Sequence, residues 1–323
     1  FERFGAASVV FNGVSTRSVN HETCQAVALT GGTASSGTDW PTLLANDRRQ
    51  DFRLPHLVVS GPVFPGDHTV LVSRAQGALQ ATVDGSLLQR ADAPQTLPRP
   101  AASHVLDEYL SRRAAGFVQA HSDRQPRVDY QEAVARARGL VDDRLSFDFR
   151  AGSTFTQRSE SAIAILAGGI SRCVSMGTDF AWDTHGNNRD QIPLWEDLFA
   201  GLERIQDRLA ITIGPTGRPL SEDTIVVVMS EMGRTPAYNG SGGRDHWPFT
   251  SVLMTGPGLR GGQQLGAYSD IYIGIGMDPN NGNLLPEIAG TPASYIGATL
   301  LALGDIDPVE ALPFAQPIWA ALA

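Results

Sequence analysis

The chain has 323 residues, 42% of them hydrophobic and 18% charged, with a formal net charge of −9. This is the profile of an ordinary globular protein. The acidic balance, with no cluster of Lys and Arg, excludes nucleic acid or an anionic membrane surface as the main partner. No apolar stretch approaches the roughly 20 residues that span a bilayer, and even the Ala- and Leu-rich run 163–170 falls far short. Cys24 and Cys173 are the only cysteines. They stand in unrelated contexts, so neither a disulfide framework nor a Cys-based zinc site can be read from them; two buried thiols and a single bridge both stay open.

In chain order, apolar runs bounded by Gly, Pro and Asn predict buried strands over 8–14, 57–60, 173–180, 224–230 and 251–255. Residues 20–24 precede a short apolar stretch that ends in Thr30-Gly31-Gly32, the pattern of a helix closed by glycine with His21 at its start. Pro94, Pro98 and Pro100 make 92–101 a loop. Helices are predicted over 103–119, 130–140, 159–170 and 292–303, with Ser103 and Ser159 as caps. The clearest runs from 193 to 209, where Leu194, Leu198, Leu202, Ile205 and Leu209 form one apolar face. Residues 256–262 and 279–282 read as loops. Strands alternating with helices imply one α/β domain over 1–323, a mostly parallel central sheet covered on both faces in three αβα layers, with a helical insertion at about 92–158.

In such sheets functional groups gather beyond the carboxyl ends of strands. Three segments fit. The 173–180 run leads into Asp183-Thr184-His185-Gly186-Asn187, the 224–230 run into Glu231-Met232-Gly233-Arg234, and the loop 239–244 delivers Asp245-His246 just before the last strand. Carboxylate and imidazole at strand ends suit a divalent cation. Asp183, His185, Glu231, Asp245 and His246 are therefore the candidate ligands, and zinc, calcium or magnesium the candidate ion. Taken singly, each such residue is more simply a turn former or a cap. Arg234, Asn239 and Arg244 are the nearby donors that could hold an oxyanion. Trp182 and Trp247 read as packing walls.

Trp-Asp-Thr-His-Gly-Asn at 182–187, Ser-Glu-Met-Gly-Arg-Thr-Pro at 230–236 and Gly-Arg-Asp-His-Trp-Pro at 243–248 resemble the signatures of the bacterial domain of unknown function 1501 family. The runs at 256–262 and 296–304 fit the same pattern. That family is regarded as a branch of the alkaline phosphatase and sulfatase superfamily, so the resemblance implies an alkaline-phosphatase-like fold with a metal site at the strand ends. By this resemblance Asp183, His185 and His246 correspond to the ligands of one metal. Glu231 stands where the superfamily has the Asp of an Asp-His pair, and Met232 takes the His position, where a thioether is a poor ligand for these ions. The superfamily's nucleophile begins a helix that ends in Thr-Gly; the spacing back from Thr30-Gly31 lands on His21, which makes His21 the candidate catalytic residue. The resemblance also implies an upstream strand that precedes Phe1 and export through a twin-arginine signal to the periplasm or cell surface.

The expected function is a metal-dependent hydrolase of phosphate or sulfate esters in the cell envelope, its partner a small anionic ester. The alternative is a non-catalytic envelope or surface component that keeps the fold for assembly or ligand binding. A Ser-His-Asp hydrolase is weaker, because no Gly-x-Ser-x-Gly elbow is present.

Overall fold

Strand β1 (Ser8–Ser15) is the spine of the largest sheet, and Val9, Phe11 and Val14 along it are almost wholly buried. The computed structural model describes residues 2–33, 37–75, 124–142, 154–178 and 180–323, with scattered positions between 79 and 116. A short α1 (Glu2–Gly5) precedes β1, and α2 (His21–Thr30), α3 (Trp40–Asp47), β2 (His56–Val58) and β3 (Val72–Arg74) follow. Next come α4 (Arg124–Asp142), α5 (Phe155–Ala167), β4 (Cys173–Ser175) and the long α6 (Gln191–Ile211). The remainder holds β5 (Val226–Met229), β6 (Gly233–Arg234), β7 (His246–Trp247), β8 (Phe249–Thr255), β9 (Gln263–Leu265), β10 (Ala267–Tyr268), β11 (Gly274–Met277), β12 (Leu284–Ala289) and β13 (Thr291–Pro292). Helices α7 (Ala293–Leu303) and α8 (Pro308–Ala311) come after them.

The fold is mixed α/β, but its main sheet is not mostly parallel. Its order is β13-β1-β8-β5, with β9 also on β1. β9 and β13 run parallel to β1, whereas β8 runs antiparallel to both β1 and β5. The reason lies in the connection from β5 to β8, which is the β6–β7 hairpin and its loop rather than a helix. Without a helical crossover the chain returns antiparallel. The expected parallel pairing does occur in a second sheet, β3-β2-β4. A third sheet, β10-β11-β12, is an antiparallel meander that the apolar periodicity did not announce, since most of β12 is exposed.

Helices follow their sequence signals closely. Asn20 caps α2 by accepting the Thr23 amide, and Gly31 ends it in the left-handed region at φ 75°. α5 starts earlier than expected because Thr154 and Gln157 form a capping box, which leaves Ser159 inside the helix with its hydroxyl on the Phe155 carbonyl. The strand expected over 173–180 stops at Ser175. The loop expected at 92–101 lies outside the described residues, as do most of the helix at 103–119 and of the insertion at 92–158; within the latter, α4 is helical. Cys24 and Cys173 are both free thiols. No described helix is long and apolar enough to cross a membrane.

The core at the main sheet joins β1 and β8 to α2, α3 and α7. Trp40 sits wholly buried there and donates its indole N–H to the Ala28 carbonyl at 3.0 Å. A further core packs α5 against α6 through Phe155, Ile163, Leu198 and Ile205 and extends to the partly buried Val226 and Val228 of β5. The ends of β4 and β5, and with them the segments that follow, are thus held on packed elements.

A buried polar knot joins α3 to the parallel sheet. His56 bonds Thr42 Oγ1 through Nδ1 and Ser175 Oγ through Nε2, each at 2.8 Å. Burial pushes the His56 imidazole down to about 4; the Asp39 carboxylate, 3.9 Å away, partly opposes this, and the Arg74 charge adds to it. An unfolded chain binds that proton near 6.5, so between those values the unfolded state holds more protons and stability rises with pH. The contribution is complete above about pH 6.5 and is lost as pH falls towards 4, for a total on the order of 3 kcal/mol. Urea unfolding of the native chain and of His56→Gln between pH 7.5 and 4.5 is expected to show their difference in stability shrinking by that amount; a difference that stays flat would contradict it.

Candidate metal centre

Three loops meet at Asp183. The first is the turn before α2, where the Asn20 cap sets the helix start and places His21 at its first residue. The second is the 182–188 segment. The third leaves β5 through Glu231, forms the β6–β7 hairpin and pairs Arg234 with His246 in register. Asn239 knots the loop inside that hairpin: its side-chain oxygen accepts the Ser241 and Gly243 amides, and its amide donates to the His185 carbonyl and to Asp245.

Around Asp183 the polar atoms converge. Its Oδ1 lies 2.6 Å from Arg234 Nη2 and 3.0 Å from Nε2 of both His185 and His246, while its Oδ2 lies 3.6 Å from His21 Nε2. Each imidazole is anchored through its other nitrogen. His246 Nδ1 is 2.7 Å from the Val19 carbonyl, His185 Nδ1 is 3.0 Å from Asp245 Oδ1, and His21 Nδ1 is 3.0 Å from Glu231 Oε1. Carbonyl and carboxylate oxygens only accept, so each Nδ1 carries a hydrogen; a neutral ring then turns an Nε2 lone pair to the centre, and a protonated ring donates there from Nε2.

This has an electrostatic consequence. The Nε2 atoms of His185 and His246 are 2.9 Å apart, and with Asp183 Oδ1 they form three polar atoms within hydrogen-bonding distance. Such a group repels itself unless a cation, proton or metal ion, lies among them. His21, Asp183 and His246 each offer one ligand atom, and these lie within 4.8 Å of one another. Two imidazole nitrogens and a carboxylate, with their far sides hydrogen-bonded, are a donor set that fits zinc or a similar ion. His185 flanks that triad.

Burial alone would raise the Asp183 carboxyl, but hydrogen bonds from Arg234 and His246 and the charges of Arg234 and His185 outweigh it. They hold the group well below the ordinary carboxylate range. Hydrogen bonds from Asn239 and His185 hold Asp245 down as well. Both carboxylates are therefore acceptors at neutral pH.

Of the residues expected at the site, His21, Asp183 and His246 form the group that could hold an ion, with the others around it in differing contacts. Asp183, His185, His246 and His21 face the centre. Glu231 and Asp245 touch the imidazoles from behind. Arg234 donates to the Arg244 and Trp182 carbonyls and to Asp183. Arg244 lies over the Tyr238 ring at 4.7 Å and donates to the Thr235 carbonyl. Met232 is buried. Two contributors went unread in the sequence. The Val19 carbonyl orients His246 and has no side-chain signal. Gln191, at the start of α6, donates to the Trp182 carbonyl and to Thr184 Oγ1, each at 3.0 Å; its place in the first helical turn after the Asp-Thr-His segment was the available clue.

Residues 155–279 match the family model described as Protein of unknown function (DUF1501). The match supports that family over a stretch containing Asp183, His185, Glu231, Arg234, Asp245 and His246 and lying apart from His21. No curated protein matches the chain.

Gly243 locks the 184–185 segment against the hairpin loop. A Cβ there would sit 2.0 Å from the His185 carbonyl oxygen and 2.5 Å from that of Thr184, so only glycine permits the approach. If the group holds an ion, Gly243→Ala is expected to weaken its binding, measured by calorimetry with zinc as the probe, roughly 10–100-fold, the range seen when groups supporting metal ligands are lost. Gly240→Ala, whose Cβ would meet open space, is expected to bind as the native chain does. Equal affinities for all three proteins would show that the loop does not position the centre.

Proposed function

We propose that the chain is a metal-dependent hydrolase of phosphate or sulfate esters, built on the alkaline-phosphatase-like plan that its Asp-Thr-His, Glu-Met-Gly-Arg and Asp-His-Trp motifs resemble, and acting in the cell envelope. The observation that carries it is the convergence of anchored imidazole Nε2 atoms on Asp183, a donor set that a divalent ion would bridge. His21, Asp183 and His246 would hold the ion, with His185 beside them. A divalent ion there supplies Lewis-acid polarisation of the ester.

The chain's own groups do the rest. Glu231 and Asp245 fix the tautomers of His21 and His185, so the rings present lone pairs and not N–H groups. Arg234 neutralises Asp183, which limits the negative charge an anionic ester must approach. With Met232 at the position of a second imidazole ligand, the reading is of one ion and not a pair.

A structural role for the ion is the second reading. It is favoured by the loop contacts of Arg234 and Asn239, whose donors already serve the hairpin. Elemental analysis and an ester panel separate the two. The native protein is expected to carry zinc or a related ion, to hydrolyse an aryl phosphate or sulfate, to lose that activity on chelation and to regain it with added ion. Asp183→Ala should lose the ion, and Glu231→Gln should bind it about 10–100-fold more weakly, with both still folded by circular dichroism. A metal-loaded protein inert towards the whole panel would overturn the hydrolase reading, and Asp183→Ala unfolding on metal loss would establish the structural one.

A further inference from the structure

Helix α7 ends in a Schellman motif with an acidic residue where glycine is favoured. The Ile306 amide donates to the Leu301 carbonyl and the Asp305 amide to that of Ala302, which sets Asp305 in the left-handed region at φ 60°. Asp enters that region more readily than most residues, but glycine does so without strain. A carboxylate here also stands at the negative end of the helix dipole. Among the described residues no group pairs with it. A side chain that goes against two local preferences and gains no contact in return points to a use outside the fold's own stability.

Asp305 stands on a cleft. An open hollow of about 520 Å³ lies between the end of α7, α8 and the last turn of the chain (Trp319–Ala321), a size that suits a small organic ligand. Its lining is mostly apolar, with Ile306, Val309, Pro317 and Trp319 beside Asp305 and Asp307. Val309 and Trp319 are 62% and 50% exposed, so the apolar surface is open to a ligand. The walls are nonetheless fixed: Ile318 and Ala320, on either side of Trp319, are buried in the main core, and the Ile318 amide donates to Thr299 of α7 at 2.9 Å. Asp307 caps α8 by accepting the Val309 amide. No Lys, Arg or His is among the residues that line the hollow. Arg172 reaches the Gly304 carbonyl, but it is tied to Asp47 as well and is not part of the lining.

We propose that this cleft binds a small amine with an apolar body, its ammonium group at Asp305 and Asp307 and its body against Ile306, Pro317 and Trp319. Charge decides for a cation: two carboxylates and the carbonyl end of a helix meet at one hollow, and no cationic side chain of the lining balances them. The apolar walls then favour an amine with a hydrocarbon portion over a bare metal ion, which would need a shell of oxygen ligands. Trp319 adds a ring whose face attracts cations. A hollow, as against a flat patch, suits a compact ligand. The cleft shares no residue with the metal centre, and the proposal does not depend on the hydrolase reading.

The test is calorimetric titration of the chain with phenethylamine and phenethyl alcohol, which share a body and differ in the charged group. The native chain is expected to bind the amine roughly tenfold more tightly, the scale of one charge-assisted hydrogen bond. Asp305→Asn should lose that preference while its thermal stability holds or rises, because Asn keeps the left-handed turn and relieves the helix end. Trp319→Ala should weaken binding of both ligands and leave most of the preference in place. Glu310→Gln removes one negative charge of α8 that does not line the cleft, and it should change neither affinity. Equal affinities in the native chain, or no binding of either ligand, overturn the proposal. A preference lost equally in Glu310→Gln traces it to overall charge and overturns the proposal too. A native dimer that Trp319→Ala converts to monomer, by light scattering, makes the cleft a subunit interface and overturns it as well.

Discussion

The placement of three imidazole hydrogens governs the centre. An imidazole can present either nitrogen, and nothing in its own chemistry decides which. Here Val19, Asp245 and Glu231 take the Nδ1 hydrogens of His246, His185 and His21, and the choice is made for each ring by a different stretch of chain. The Nε2 atoms are then obliged to face Asp183. A proton on one of them, or an ion among them, sets which of these close contacts attract and which repel. Arg234 supplies one positive charge from one side of Asp183, and His21, Asp183 and His246 could hold an ion on the other.

The β6–β7 hairpin converts this requirement into topology. A helical crossover after β5 would have carried the chain over the sheet and returned it parallel, away from the strand end. Instead the short hairpin doubles back, sets His246 opposite Arg234, and feeds β8 antiparallel between β1 and β5. The mixed sheet is thus the cost of holding Arg234 and His246 on one rigid ribbon. The loop's tightness follows from the same geometry, since Gly243 must lie against the backbone of the Asp-Thr-His segment for Asn239 to reach both it and Asp245.

Much of this was legible in the sequence, and what was not has identifiable causes. Helical period marked α6 and α7 because each buries a continuous face, and Gly31 marked the end of α2 because capping is a local code. The segments of the centre were legible because charged and imidazole residues cluster after β5 and before β8; Asp183 stands further from its strand, which ends at Ser175. Roles within it were not. Whether Glu231 points at an ion or at the back of His21 depends on the approach of two segments more than two hundred residues apart, which no local pattern encodes. The Val19 carbonyl is invisible because main chain is the same everywhere. β12 was missed because an exposed edge strand has no apolar alternation to read, and the capping box at Thr154 and Gln157 was passed over for the more apolar run at 159 onwards.

The same accounting bears on whether the centre turns substrate over. A purely structural ion gains from being closed off, with its ligands buried and every coordination position filled by protein. Here Asp183 is half exposed and the side chains of His21 and His185 are about two-fifths exposed, so solvent and small molecules reach the ligand atoms. The carboxylates behind the rings, by contrast, make the imidazoles better donors without taking up a coordination position. An open front with a well-supported back is what the proposed hydrolase needs.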